Sequence, residues 1–138
     1  MKNRFNIEDA ALKACCELSY LRDLVSEARG RMTVSLGSSF DRMLKEAHSS
    51  GFFEKPVLEH AQELRQRVLR DLPSLGGAPI PARSDEGDLI WLGGTDESRE
   101  MSEIERSLGR FITNANWVNW ALETEAALDR RRAQLATG

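Results

Sequence analysis

The sequence predicts an all-α fold, an irregular four-helix bundle with a long C-terminal helix and one long acidic loop rich in proline and glycine. Apolar residues recur at the helical spacing of three and four over most of the chain. Residues 98–136 contain no proline, whereas three of the four prolines and five of the ten glycines fall within residues 73–96. At 138 residues, the chain has the size of one domain, residues 1–138.

Composition restricts the class of protein further. Hydrophobic residues make up 41% and charged residues 30% of the chain, which indicates a folded soluble protein. No apolar run approaches the roughly 18 residues of a membrane span, and no apolar stretch follows the first basic residues, so we expect neither a membrane span nor a signal peptide. Cys15 and Cys16 are neighbours and cannot form a disulfide framework. We therefore expect a cytoplasmic protein.

The first helix begins at Asn6 in this interpretation, because asparagine is a good N-cap and the carboxylates of Glu8 and Asp9 suit the positive end of the helix dipole. Gly30 is a candidate C-cap, but the apolar phase continues past it, so the end is open between Gly30 and Gly37. The apolar stripe comprises Ile7, Ala11, Ala14, Leu18, Leu21, Val25, Ala28 and Met32.

Two shorter helices follow. Ser39 is the predicted N-cap of the second, which continues through Ala47 and stops at the Ser-Ser-Gly turn that ends at Gly51. The third begins near Pro56, a residue favoured at the first helical position, and ends at Pro73. Its apolar positions are Val57, Ala61, Leu64, Val68 and Leu72.

Residues 73–96 form the predicted irregular loop, which carries most of the excess acidic charge. Within it, residues 89–92 read Leu-Ile-Trp-Leu, and an apolar run of this kind does not remain in solvent. We expect this run to be pinned against the helices or paired as a short strand, where it is able to cover an apolar helix face. Thr95, Asp96 and Glu97 then start the last helix.

The last helix carries two apolar faces. At 100° per residue, Trp117 and Trp120 project roughly 150° away from the centre of the main stripe. The main stripe comprises Met101, Ile104, Leu108, Phe111, Ala115, Val118 and Leu122. The second face also carries Thr113, Ala121, Thr124, Leu128 and Leu135. One face must line the core, and the other is either covered by the chain itself or offered to a partner.

The predicted length of this helix conflicts with the size of a compact domain. A straight helix over residues 98–136 measures roughly 58 Å, whereas a compact domain of this size is only about 37 Å across. Gly109, Asn114 and Asn116 are the weakest helix formers in its middle. Because the main stripe continues through Gly109, the sequence favours a late bend, or an end that projects and is buried by a second copy.

No catalytic, cofactor-binding or metal-binding motif is found in the sequence. His48 and His60, the only two histidines, are not at metal-ligand spacing with other ligands. The glycine pairs near residues 76 and 93 lack the lysine and spacing of phosphate-binding loops. The acidic residues 85–88 lack the ligand pattern of a calcium loop. We expect no enzyme activity.

The leading functional hypothesis is a non-enzymatic protein-binding or regulatory module, such as an inhibitor or adaptor of the kind found in phages or mobile elements. The predicted partner-binding residues are Trp117, Trp120, Leu128 and Arg131, because tryptophan and arginine dominate interface energetics and these four share one face. The partner is a protein, a second copy of the chain, or both. For the two tryptophans taken alone, the pattern favours a core role, because a helix that is apolar on both sides is often central in a bundle and residues 89–92 are available to cover it.

A DNA-binding regulator is the alternative function, with a helix-turn-helix-like segment at residues 40–72 and contacts from Arg65, Arg67 and Arg70. The turn is longer than usual, and neighbouring glutamates oppose a phosphate backbone. A third hypothesis, an enzyme that uses Cys16 or His60, lacks an activating group placed by the sequence.

Overall fold

The computed structural model describes residues 7–51, 53–76 and 79–137. These residues form four α-helices and one two-stranded antiparallel sheet, so the predicted all-α class is confirmed. The helices are α1 (Ile7–Ala28), α2 (Val34–Ser50), α3 (Lys55–Asp71) and α4 (Asp96–Thr137), and the strands are β1 (Ile80–Arg83) and β2 (Leu89–Leu92).

Helix α1 runs antiparallel to α4 along most of its length. Tyr20 donates a hydrogen bond to Glu103 at 3.1 Å, and Arg31 near the end of α1 forms an ion pair with Glu100 close to the start of α4. Between these helices lies the predicted stripe of α1, whose buried members are Ala14, Leu18, Leu21, Val25 and Ala28. Its apolar phase was therefore correctly predicted.

Helix α3 packs on another side of α4, also antiparallel to it. The Arg65 Nε donates to Glu105 at 2.6 Å, and the Asn119 side chain donates to the Phe53 carbonyl at 3.0 Å. Helix α2 in turn runs antiparallel to α3, where Arg67 donates to the Ser39 hydroxyl at 2.9 Å. All four helices contribute to one hydrophobic core, in which α4 is central because both α1 and α3 pack on it.

The junction between α1 and α2 differs from the prediction. The proposed N-cap Asn6 lies outside the described residues, whereas the C-terminal end of α1 is Ala28, followed by a 3₁₀ turn over Arg29–Arg31. The N-cap of α2 is Thr33, whose hydroxyl accepts a hydrogen bond from the Leu36 amide at 3.1 Å. Ser39 lies inside the helix, so its assignment as N-cap was wrong.

The predicted irregular loop contains a β-hairpin. Strands β1 and β2 pair in the register Ile80↔Leu92 to Arg83↔Leu89, so the apolar run is paired as a short strand, one of the two expected outcomes. The same run also contacts a helix, because the Arg106 guanidinium of α4 lies 5.6 Å from the centre of the Trp91 ring. The hairpin therefore contacts α4 at Arg106.

Helix α4 is unbroken over 42 residues, which corresponds to about 63 Å at 1.5 Å per residue. Reciprocal hydrogen bonds between Thr95 and Ser98 satisfy amides at its start. The predicted stripe is buried from Met101 to Val118, but Leu122 is 50% exposed, contrary to the prediction. Its last buried side chain is Ala121, which was predicted to lie on the second face.

The end of α4 projects beyond the helices that pack on it. None of the described side chains of residues 122–136 is buried. This segment extends about 24 Å past Ala121. The conflict between helix length and domain size is therefore resolved by projection, and Gly109 does not interrupt the helix.

Candidate protein-binding surface

The side of α4 opposite its buried stripe, here called the outer face, carries all four predicted partner-binding residues. Trp117 is 37% exposed and Trp120 is 53% exposed. Their ring centres are 6.2 Å apart and their planes are inclined by 57°, a tilted pair in the range of favourable aromatic contacts. Neither ring belongs to the buried core of the described residues. The structure therefore disfavours the interpretation of this face as core.

Leu128 and Arg131 lie on the projecting part of the outer face. Leu128 is half-buried and Arg131 is exposed. In the neighbouring arginine run, Arg132 forms an ion pair with Asp129 at 3.2 Å within the same helix. The helix thus places a leucine and a guanidinium on the continuation of the tryptophan pair.

The hairpin contacts α4 at Arg106, on the same side of the helix as the tryptophan pair. Trp91 lies against Arg106, which is 11 residues before Trp117 in α4. This separation corresponds to about 16 Å along the helix axis. The observed contact of the apolar run is therefore about three turns closer to the N-terminal end of α4 than the tryptophans are.

Between the hairpin contact and the tryptophans, the outer face holds a groove of about 350 Å³. We call it the arginine groove. Its lining includes the guanidinium groups of Arg65, Arg106 and Arg110, the backbone of Gly109, and Thr113, which lies one turn before Trp117. The sequence did not predict this groove, since Arg65 comes from α3 and the other residues from α4.

Gly109 lies next to the Arg65 guanidinium, which comes from α3. A Cβ atom added at Gly109 would be 3.4 Å from the Arg65 Cζ and 3.6 Å from its Nε, which are ordinary van der Waals distances to the end of a flexible side chain. The glycine that seemed a weak point of the helix therefore lies in the contact between α3 and α4, at a position that also has room for alanine.

Carboxylates hold two of the three guanidinium groups. Arg65 is paired with Glu105, whereas Arg110 donates to Glu17 of α1 and, at 3.2 Å, to Glu103. Burial opposes the charge of Arg110, but its hydrogen bonds to the two carboxylates raise its pKa above the ordinary value. Arg110 therefore stays charged and fixed between α1 and α4.

Arg106 differs from the other two arginines. Its Nε is buried and has no hydrogen-bond partner, and among the described residues it forms no ion pair. Its contact with Trp91 is a cation–π contact. Such a contact stabilises the positive charge of the guanidinium but does not provide a hydrogen-bond acceptor for its N–H groups. Leaving a buried donor unsatisfied typically costs about 1–3 kcal/mol.

No known family matches this chain. Comparison with protein-family models, with curated proteins and with solved structures found no match.

A second groove, between α1 and α2, brings Cys15 and His48 together. Burial, and secondarily the neighbouring Cys16, raises the pKa of the Cys15 thiol. A nucleophilic cysteine requires a lowered pKa, so this arrangement opposes thiolate chemistry. The Nδ1 of His60 lies 3.4 Å from a carboxylate oxygen of Glu46 in the α2–α3 contact.

Two further properties concern the described part of the chain. Within residues 7–51, 53–76 and 79–137, histidine, cysteine and carboxylate side chains form no group of three or more that could hold a metal ion. In those same ranges, none of the helices combines the length and apolar character that a membrane span requires.

The segment proposed as a helix-turn-helix is an antiparallel pair. His60 contacts Glu46, and Arg67 bonds to Ser39, so α2 and α3 run antiparallel to one another. Arg65 is engaged by Glu105. Two of the three arginines proposed to contact DNA are therefore committed to contacts within the chain.

Proposed function

We propose that this chain is a non-enzymatic protein-binding module of a regulatory type, a small one-domain helical bundle that contacts its protein partner through the outer face of α4. The supporting observation is the tilted pair Trp117 and Trp120, substantially exposed, at the point where α4 leaves the bundle. An inhibitor or adaptor acts through such a surface without chemistry of its own.

The tryptophan pair supplies the energy in this proposal. Together the two side chains leave roughly 150–200 Å² exposed, from their exposed fractions and the usual area of a tryptophan. At about 25 cal/mol per Å², burial of this exposed area contributes about 4–5 kcal/mol to the binding free energy, before the costs of association are subtracted. Tryptophan is also enriched at positions that dominate binding energy. A partner that covers both rings thus gains a substantial part of the binding free energy of a complex with micromolar affinity.

The projecting end of α4 supplies a second argument. Residues 122–137 are held by their own helix, and a helix of this length is marginal in water without tertiary packing. A partner that packs on Leu128 supplies the missing contacts and stabilises the helix end. Binding and helix stabilisation are therefore coupled in this proposal. The partner is a different protein, and self-association through the same face is the outcome against which it is tested.

Affinity capture from a source lysate tests this function. Immobilised wild type is compared with Trp117→Ala and with Leu69→Ala, each with and without nuclease. Leu69 is the matched control, because it is an apolar side chain, 42% exposed, that belongs to α3 and not to α4. We expect the wild type and Leu69→Ala to capture the same protein stoichiometrically in the presence of nuclease, and Trp117→Ala to lose it.

Two results contradict the proposal. Capture that disappears with nuclease but is indifferent to Trp117 supports the DNA-binding alternative. Capture of untagged copies of this chain alone identifies the outer face as a self-association surface. Circular dichroism of each variant establishes that a lost partner is not a consequence of unfolding.

A further inference from the structure

We infer that the arginine groove is a carboxylate-binding subsite, and that it takes an acidic side chain of the protein partner whose apolar side chains pack on Trp117 and Trp120. This inference rests on the proposed function and identifies the chemistry of the partner. The groove was not predicted from the sequence, and the two tryptophans do not line it.

Arg106 supplies the unfilled hydrogen-bonding capacity. A guanidinium has five N–H donors in a fork that matches the two oxygens of a carboxylate. The described residues provide no acceptor for the buried Nε of Arg106 and no ion pair for its charge. A carboxylate in the groove supplies a charge partner within reach of this guanidinium, beside the contact that it makes with the Trp91 ring.

Arg65 adds a second guanidinium from the opposite side. Its hydrogen bond to Glu105 uses Nε, which leaves the two terminal nitrogens for a second acceptor. This guanidinium lies against α4 at Gly109, with its Cζ 3.4 Å from the site that a Cβ atom would occupy. Two arginines from different helices therefore line one small volume, as in sites that recognise a single anionic group.

The charges in and around the groove favour the binding of a single anionic group but oppose a chain of several anionic groups. Three guanidinium groups and one carboxylate, that of Glu105, line the groove, so the lining has an excess of positive charge. However, Glu17 and Glu103 lie immediately behind Arg110. These carboxylates repel the successive phosphates of a nucleic-acid backbone, and the whole chain carries a net charge of −3. The occupant with the best match is thus an isolated carboxylate of a protein.

The geometry of the outer face also specifies the spacing in the partner. Thr113, which lines the groove, lies one helical turn before Trp117 in α4. Arg106 and Trp117 are separated by about 16 Å along the axis, a distance that an extended chain covers in about five residues. We therefore expect the partner segment to carry an aspartate or glutamate about five residues from a large apolar side chain if extended.

Titration of the full chain with glutarate tests the subsite without the partner. The readout is the NMR resonance of the arginine side-chain Nε–Hε groups, with Arg106→Gln and Arg106→Lys as variants. Arg70→Gln is the control, because Arg70 is exposed near the end of α3 and does not line the groove. We expect glutarate to shift the resonances of Arg65, Arg106 and Arg110 in the wild type.

The variants measure how much Arg106 contributes to glutarate affinity. Apparent glutarate affinity, read from Arg65 and Arg110, should fall at least about tenfold in Arg106→Gln, the loss expected when one charge-assisted pair is removed. It should fall less in Arg106→Lys and by less than about twofold in Arg70→Gln, since exposed surface charges contribute little. Equal titration of Arg106→Gln and Arg70→Gln overturns the inference, as does the absence of any shift in the groove.

Parallel titrations with inorganic phosphate and with duplex DNA distinguish the source of the anion. Stronger, Arg106-dependent binding of either phosphate probe overturns the assignment to a carboxylate. The subsite and the proposed function fail separately. Groove shifts that are absent while Trp117-dependent capture persists overturn the subsite alone. Arg106-dependent glutarate binding without Trp117-dependent capture overturns the function and leaves a carboxylate site on α4.

Discussion

Replacement of Phe111 with alanine is expected to lower the free energy of unfolding by about 3–5 kcal/mol, the range for removal of a fully buried aromatic ring. Phe111 has no exposed surface and belongs to the core cluster formed by all four helices. The loss combines the transfer free energy of the ring with the cost of the cavity left between α4 and the helices around it. Urea unfolding followed by circular dichroism measures it.

Leu135→Ala is the control for this prediction. Leu135 is 74% exposed on the same helix, so its replacement should change the free energy of unfolding by less than about 0.5 kcal/mol. If Phe111→Ala loses less than about 1 kcal/mol, the central position of α4 in the core is incorrect.

The double replacement Trp117→Ala, Trp120→Ala is expected to weaken partner binding at least about hundredfold, because side chains of this type at an interface centre each contribute 2 kcal/mol or more. The two losses will not add fully, since the rings contact one another. Titration calorimetry with the partner identified by capture measures the change.

The free energy of unfolding of the same double variant distinguishes a binding role of the two tryptophans from a structural role. Because both rings are substantially exposed, the free energy of unfolding should fall by about 1 kcal/mol or less. A loss comparable to that of Phe111→Ala would show that the pair stabilises the fold. Unchanged affinity in a folded double variant would exclude the tryptophans from the interface.

The helical stripes were predictable because burial follows the period of the helix. Leu18, Val25, Leu64 and Val68 are buried where the spacing of apolar residues predicts. The spacing of apolar residues does not show at which residue a helix stops packing against its neighbours. Leu122 keeps the phase of the α4 stripe but is half exposed, because the helix has passed the end of its neighbours.

Local ambiguity explains the errors between α1 and α2. Thr33 and Ser39 are both suitable N-cap residues, and propensity does not choose between them. The 3₁₀ turn over Arg29–Arg31 brings the chain to an extended conformation at Thr33, whose hydroxyl then accepts the Leu36 amide. The direction of the turn depends on tertiary packing, which a local pattern does not contain.

The candidate site was predicted in part. A second apolar face on the last helix was visible in the sequence as Trp117 and Trp120, and its exposure required the structure. The arginine groove depends on a contact between Arg65 and Glu105, which are 40 positions apart in the chain. No local pattern indicates the groove, since the space around Gly109 also admits a Cβ atom at ordinary contact distance.

Amide hydrogen exchange of the chain, alone and with its captured partner, tests whether the outer face of α4 is the binding surface. We expect fast exchange in residues 122–137 of the free chain, because this helix end has no buried side chains among residues 122–136. With the partner, exchange in residues 113–137 should slow at least about tenfold, while α2 remains unchanged. Protection confined to α2 and α3, with no change in residues 113–137, would contradict the assignment of the outer face as the binding surface.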